Sequence, residues 1–232
     1  MNPNIKLTDF GVYVMKEDTH LSRWVENDRR LDHARHELDQ FRRFIPEGGT
    51  VIDCGTSIGD HTESYATWVG PKGTVIGFEA NPDVAECCAL NFAKRPWVKI
   101  HNIGLSNDFG AASINLDPNV GASHLSEGKD IKLAPLDSFM DEMKGRCDFI
   151  KVDIEGYEPR MIAGAMKTIT TFKPAILMEV NKGALERQGY NSDILLRQLR
   201  QLGYEWKIIG KFFSNLQYDI IATPRNVRQK SS

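Results

Sequence analysis

Nothing in this 232-residue chain is both long and apolar. No apolar run approaches the roughly 20 residues that a membrane-spanning helix needs. The first residues, Met1-Asn2-Pro3-Asn4-Ile5-Lys6, lack an apolar signal core. Cysteine is sparse: Cys54, Cys87, Cys88 and Cys147 form no C-x-x-C pair. A disulfide framework is therefore not expected, and a reducing, cytoplasmic location is. Charge of one sign is also missing. The net charge of -2 gives no bulk attraction to nucleic acid or to an anionic membrane, so neither is expected as a partner. There are no internal repeats. What remains is a globular composition, 41% hydrophobic and 26% charged, sized for one large domain or one domain with an appendage.

One more absence is chemical. A dinucleotide site wants G-x-G-x-x-G, because backbone must approach a pyrophosphate closely. Here Val51-Ile52-Asp53-Cys54-Gly55-Thr56-Ser57-Ile58-Gly59-Asp60-His61-Thr62 holds two glycines three residues apart, with serine at 57. This counts against an NAD-dependent oxidoreductase. A second apolar run, Val75-Ile76-Gly77-Phe78, then ends in Glu79. Strand, glycine loop, helix, strand, acid is the order by which an open α/β sheet builds a pocket for an adenosine-bearing cofactor. Without a pyrophosphate to hold, the loop points to S-adenosylmethionine.

Strands and helices alternate from residue 50 onward, the pattern of a mostly parallel sheet with helices on both faces. The apolar runs predict strands at 50–54, 74–79, about 97–103, 147–153 and 174–180. Helices are expected at about 60–69, from Pro82, and near 191–202. The runs at 204–209 and 218–222 are close enough to pair as an antiparallel edge. Residues 108–138 break the alternation and read as an inserted hairpin or long loop, a place where function often sits. Before the core, Leu31, Ala34, Leu38, Phe41 and Ile45 make one apolar helical stripe, ended by Pro46-Glu47-Gly48-Gly49. The expected organisation is a strand-and-helix appendage at 1–48 that packs on the sheet and is a candidate cover for the active site, a cofactor-binding domain at 49–223 and a polar tail at 224–232.

At this point the chain resembles the FkbM family of SAM-dependent methyltransferases. The resemblance rests on Asp53 to Thr62, on Phe78-Glu79-Ala80-Asn81-Pro82 and on Asn102-Ile103-Gly104-Leu105-Ser106-Asn107. Its most specific part is Ile150-Lys151-Val152-Asp153-Ile154-Glu155-Gly156-Tyr157-Glu158. It runs from about 48 to 181, and departs at Asn107, where the family more often has aspartate, and at Ser123-His124-Leu125. It implies a class I methyltransferase (Rossmann-like) fold and methylation of a hydroxyl on a secondary metabolite, sugar or glycan. The expected cofactor-binding set is Asp53, Gly55, Thr56, Ser57, Gly59, Thr62, Glu79, Asn81, Ser106 and Asn107. Asp53 is expected at the cofactor's amino group, directly or through water, and the backbone N–H groups of 57–59 at its carboxylate. Glu79 is expected at the ribose hydroxyls, and Asn107 with Ser106 at adenine.

Lys151, Asp153, Glu155 and Glu158 form the densest charge cluster in the chain. Lys151 and Asp153 share one face of a strand that should be buried, so they must be paired or in use. Asp153 or Glu155 is expected to take the acceptor's proton or orient it, with Lys151 tuning that carboxylate. A structural ion-pair network is the competing reading. His124, in the insertion, and His61 are further candidate bases. Asp153, Glu179 and Asn181 offer oxygen ligands for Mg²⁺ by analogy with some O-methyltransferases, although the resemblance does not call for a metal. His33 and His36 read as a solvated helix face, and Trp24, Trp68, Trp97 and Trp206 as packing residues. A protein that binds the cofactor without catalysis stays as an alternative.

Overall fold

The runs at the centre of the chain show no polar alternation because both faces of their strands are covered. In the computed structural model, which describes residues 2–32, 35–214 and 216–225, every residue of these central strands is buried. In chain order the elements begin with β1 (Ile5–Leu7), β2 (Tyr13–Met15), α1 (Leu21–Asp28) and α2 (Arg35–Leu38), followed by a 3₁₀ turn at Asp39–Phe44. The core follows with β3 (Thr50–Cys54), α3 (Asp60–Val69), β4 (Thr74–Phe78), α4 (Pro82–Asn91) and β5 (Val98–His101). An insertion carries β6 (Gly104–Leu105), β7 (Gly110–Asn115) and β8 (His124–Ala134). The chain returns through β9 (Phe149–Val152), α5 (Glu158–Ala163), α6 (Met166–Phe172), β10 (Ala175–Asn181), α7 (Lys182–Arg187) and α8 (Ser192–Gln201). It ends in the pair β11 (Tyr204–Ser214) and β12 (Gln217–Pro224).

Seven strands form the main sheet in the order β11-β12-β10-β9-β3-β4-β5. β12 pairs antiparallel with both neighbours, so β11 runs parallel to the rest of the sheet. This is the expected mostly parallel sheet with an antiparallel C-terminal pair, with one refinement: the last strand lies inside the edge rather than on it. The strand order reverses between β3 and β9, and the carboxyl ends at such a switch point are where open α/β sheets open a crevice.

One hydrophobic cluster fills the sheet face under α3 and α4, and a second fills the face under α5, α6 and α8. The first contains Ile5, Val14, Val25, Leu31, Leu38, Phe41 and Ile45 from the N-terminal segment together with Val51, Tyr65 and Phe149. That segment is also tied down by polar groups: the Tyr13 N–H donates to the Asn91 side chain at 2.7 Å, and Asn2 donates to Asp83 at 2.8 Å.

Two expectations change here. The stripe at 31–45 is buried where described, but it does not form one helix. It splits into the four-residue α2 and a 3₁₀ turn. Leu38 and Phe41 are three apart, a step that a 3₁₀ turn accommodates as well as an α turn does. His33 and Ala34, and residues 226–232 of the expected tail, lie outside the described residues. The insertion is the expected hairpin, with β7 antiparallel to β8, β6 parallel to β8, and a register shift at Ala112/Ser113. No helix among the described residues is long and apolar enough to cross a membrane.

Candidate functional site

The registers of the parallel strands align the site. Phe78, Cys54, Val152 and Met178 stand opposite one another across β4, β3, β9 and β10. One residue further along each strand come Glu79, Gly55, Asp153 and Glu179, and Glu179 faces Asp219 of β12. Glu79 and Glu179 are three strand spacings apart, about 14 Å. Two residues earlier, on the same sheet face, Asp53 stands beside Lys151. A cavity of about 800 Å³ opens over this row, within the ~300–1,000 Å³ of ligand sites.

The glycine loop is shaped by contacts within the chain. Gly55 has φ +81°, and a Cβ there would collide with the carbonyl of Asp153. Gly59 has φ +104°, and a Cβ there would run into the Phe92 ring. Both positions are left-handed and crowded, so both need glycine. Ser57 is also left-handed, at φ +49°. Its N–H donates to Glu79 Oε2 at 3.0 Å, while Glu79 Oε1 accepts from the Asn81 N–H at 2.9 Å. Two backbone donors therefore fix the Glu79 carboxylate and leave each oxygen a second lone pair. Burial pushes this carboxyl up, and the two N–H bonds oppose the shift.

Lys151 is 6% exposed. Its Nζ donates to the Gly55 carbonyl at 2.7 Å and lies 3.5 Å from Asp153 and 3.8 Å from Asp53. Burial alone would lower the ammonium pKa, but the carboxylates of Asp153 and Asp53 outweigh it and hold it above its usual value. Asp53 is fully buried. Its Oδ2 accepts from the Thr62 hydroxyl at 2.6 Å, and Oδ1 has no hydrogen-bond partner among the described residues. Burial pushes Asp53 up, against the pull of Lys151.

The acidic end lies at the mouth of β9 and β10. Single carboxylate oxygens of Asp153, Glu155 and Glu179 lie within 4.8 Å of one another. Glu155 is left-handed at φ +53°, and Arg187 approaches it at 3.4 Å. Burial first, then the Asp153 carboxylate, pushes Glu155 up to about 7, with Arg187 opposing. Glu179 is shifted well upward by burial and then by Asp153; Gln217 donates to its Oε1 at 2.6 Å, and Oε2 is buried without a partner. Asp219, behind it, is raised to about 6 by burial and by Asp153. These three oxygens are the set that a hard cation would use.

The cavity is lined by Gly55, Ser57, Glu79, Lys151, Asp153, Glu155, Glu179, His61 and His124 of the sequence candidates. The others sit behind the wall. Asp53 and Thr62 bond to each other beside Lys151, and Asp53 is fully buried behind the lining. Thr56 is buried, and its N–H donates to the Phe78 carbonyl at 3.2 Å. The Gly59 N–H is spent on the Thr56 carbonyl and that of Ser57 on Glu79. The first turn of α3, where no side chain caps the helix, keeps donors for an anion. Asn81 caps α4 by accepting from the Asp83 N–H. Ser106 is buried with its hydroxyl on Asn107, and Asn107 is exposed. Ile103, Gly104 and Leu105 line the cavity in their place. Asn181 caps α7 through the Ala184 N–H, so Glu155 takes its place in the oxygen cluster. Glu158 accepts from the Ile154 and Gly156 N–H groups at 3.2 Å and braces the loop.

The N-terminal appendage covers the site, and its lining residues are ones that sequence reasoning did not single out for function. His20, Leu21, Trp24, His36 and Glu37 of the N-terminal segment line the cavity, as do Asn119–Ser123 of the insertion, Tyr157 and Gln217. The two roofing segments meet: the Thr19 N–H donates to the Pro118 carbonyl at 2.9 Å, and the Val120 N–H to Asp18 at 3.4 Å.

Comparison with known proteins gives this geometry a context. The family model of the methyltransferase FkbM domain matches residues 53–206. A methyltransferase FkbM from Methylobacillus flagellatus KT superposes with a TM-score of 0.52 at 18% identity, covering 76% of this chain and 44% of that one. The chain thus spans less than half the length of that relative. A putative rRNA-methylase from Clostridium thermocellum has a TM-score of 0.52 at 13% identity, with 81% and 93% covered. A putative O-methyltransferase from Klebsiella pneumoniae has a TM-score of 0.50 at 14% identity, with 90% of each chain covered. These likenesses establish the fold. No curated protein matches the chain.

Proposed function

The chain belongs to the FkbM methyltransferase family, and from that premise we propose that it transfers a methyl group from S-adenosylmethionine to a hydroxyl oxygen of a small molecule, sugar or glycan. The observation that carries the reading is the row at the strand ends: Glu79 held by two backbone donors at one end, and the Asp153, Glu155 and Glu179 oxygens at the other.

The residues fit the cofactor. Glu79 has free lone pairs for two vicinal hydroxyls, and Ile103 and Leu105 give an apolar wall for a purine. The uncapped first turn of α3 suits a carboxylate. When bound, S-adenosylmethionine supplies an electrophilic methyl whose sulfur leaves as a neutral thioether. The chain's own work is to align a nucleophile and accept its proton. Glu155, raised to about 7, accepts that proton at neutral pH, and Asp153 orients the hydroxyl. Lys151 acts through Asp153: pinned by the Gly55 carbonyl, it fixes that carboxylate and carries the positive charge that a metal would otherwise bring. Turnover is therefore expected to survive EDTA. His124 lines the same cavity from the insertion and serves as an acceptor contact. The carboxylate-rich mouth disfavours a polyphosphate backbone as substrate. Four buried free thiols suit a reducing compartment, which supports a cytoplasmic location.

Calorimetric titration with S-adenosylhomocysteine, with NAD as control, tests the cofactor. Binding of the first alone, weakened by roughly 10- to 100-fold in Glu79→Gln, is expected. Turnover of labelled S-adenosylmethionine with hydroxylated acceptors then separates an enzyme from a binder. Nitrogen-only acceptors turning over, or NAD binding instead, would overturn the reading.

A further inference from the structure

Two segments that line the cavity meet at a seam rather than through a shared strand. His20 and Leu21 come from the N-terminal segment, and Asn119–Ser123 come from the insertion. At the seam the Thr19 N–H and hydroxyl both donate to the Pro118 carbonyl, at 2.9 and 3.0 Å, and the Val120 N–H donates to Asp18 at 3.4 Å. Val120 adds a half-buried contact to the first hydrophobic cluster. Thr19 and Pro118 are exposed. Water therefore replaces their bonds as they part, and the net loss is small.

Each side keeps its structure without the other. Asp18 also accepts from the His20 N–H at 3.1 Å and the Ser22 N–H at 2.7 Å, and Val14 and Val25 anchor this side in the first cluster. Across the seam, the Asp117 N–H donates to the Ser123 hydroxyl at 3.1 Å, the Asn119 N–H to Asp117 at 2.8 Å and the Gly121 N–H to the Asn119 side chain at 3.2 Å. Loop 116–123 is thus closed on itself. The strands behind it are fixed: Leu125 is buried, and its carbonyl accepts from Gln188 at 2.8 Å. Gly55, Glu79 and Asp153, which line the same cavity, stand at the ends of main-sheet strands. That wall cannot part without breaking the sheet, whereas the seam parts at the cost of exposed bonds and one valine contact.

We propose that the seam between Asp18–Thr19 and Pro118–Val120 is a gate that parts to admit and release the cofactor and closes over it. The moving part is loop 116–123, swinging beyond the Asn115–His124 pair; the N-terminal side is the fixed jamb. The assignment rests on the methyltransferase reading and adds how that site is opened.

The test is a reversible lock in the full chain, Thr19→Cys with Pro118→Cys. The 2.9 Å backbone contact brings the two residues within reach of a disulfide, and the four native thiols are buried and out of the way of a mild oxidant. Radiolabelled S-adenosylhomocysteine is followed by rapid filtration. Protein loaded before oxidation should release it at least about tenfold more slowly than the reduced form, and protein oxidised empty should take it up at least about tenfold more slowly. The ratio of the two rates should stay within about threefold, and dithiothreitol should restore both. Unmodified protein gives a second reading: the Thr19 and Val120 amides should exchange at least about threefold more slowly with deuterium once S-adenosylhomocysteine is saturating. The gate is overturned if oxidation leaves both rates unchanged, since the cofactor then passes by the Glu155 and Gln217 end. It is equally overturned if affinity falls while the rate of uptake does not, or if amide exchange ignores the ligand. Failure of wild-type protein to bind S-adenosylhomocysteine would instead remove the methyltransferase reading itself.

Discussion

Lys151 is buried among Asp53, Asp153 and the Gly55 carbonyl, so its loss would strand the fully buried Asp53 without a counter-charge. Breaking a buried pair from one side costs about 3–5 kcal/mol. Lys151→Met should show a loss of that order in urea unfolding, and Asp53→Asn added to it should recover much of the stability. At Glu155 the sign of a pH effect can be worked out. Its folded pKa is raised from 4.5 to about 7, so it becomes a proton acceptor only as pH rises through about 7. The rate should climb over that range and reach a plateau above it, and Glu155→Gln should remove the limb. Stability runs the other way. Glu155 and Glu158 keep protons in the folded state to about 7 that the unfolded chain releases near 4.5. The folded state binds more protons across that window, so their contribution is fully present below about 4.5 and is lost as pH rises through 7. Glu158→Gln keeps the oxygen that braces the 154–156 loop. It should flatten the stability profile and move the rate limb slightly to lower pH, because the Glu158 charge helps to raise Glu155, and a matched pair of pH titrations checks both.

Asn81 separates two roles that one short segment combines. Its side chain caps α4, whereas its backbone N–H holds Glu79. Asn81→Ala should therefore cost about 1 kcal/mol of stability and leave S-adenosylhomocysteine affinity within about threefold, because the peptide donor survives. A thermal melt and a titration on the same sample decide it. The same distinction explains what could be read from sequence. Gly55, Gly59, Glu79 and the 151–158 block were legible because local spacing alone puts them at strand ends and turns. The core strands were legible from apolar runs, and the insertion from its break in rhythm. Ser106, Asn107 and Asn181 fell outside the cavity because a side chain at a strand end can turn to a neighbouring group instead: Asn181 to the Ala184 N–H, and the Ser106 hydroxyl to the Asn107 side chain. Spacing does not encode that choice. The burial of Asp53 behind the lining was not legible for the same reason. Its partner Lys151 stands 98 residues away in sequence and beside it only in the sheet.

That the N-terminal segment packs on the sheet and covers the site was legible, but which of its residues form the wall was not, because the wall exists only through contacts between that segment and the finished sheet. Phe41 is 4% exposed and lies 6.3 Å from the Phe149 ring of β9, which in turn meets Tyr65 of α3 at 5.8 Å. A segment that shares the main hydrophobic cluster in this way cannot be shed without opening it. Residues 1–48 should therefore unfold with the sheet rather than ahead of it. Phe41→Ala removes a buried ring from that junction and should cost about 3–5 kcal/mol. If the molecule is one cooperative unit, the loss moves a single urea transition to lower concentration, with tryptophan fluorescence and far-UV dichroism still coincident. If the segment is an independent appendage, fluorescence shifts first while the dichroism of the sheet stays in place.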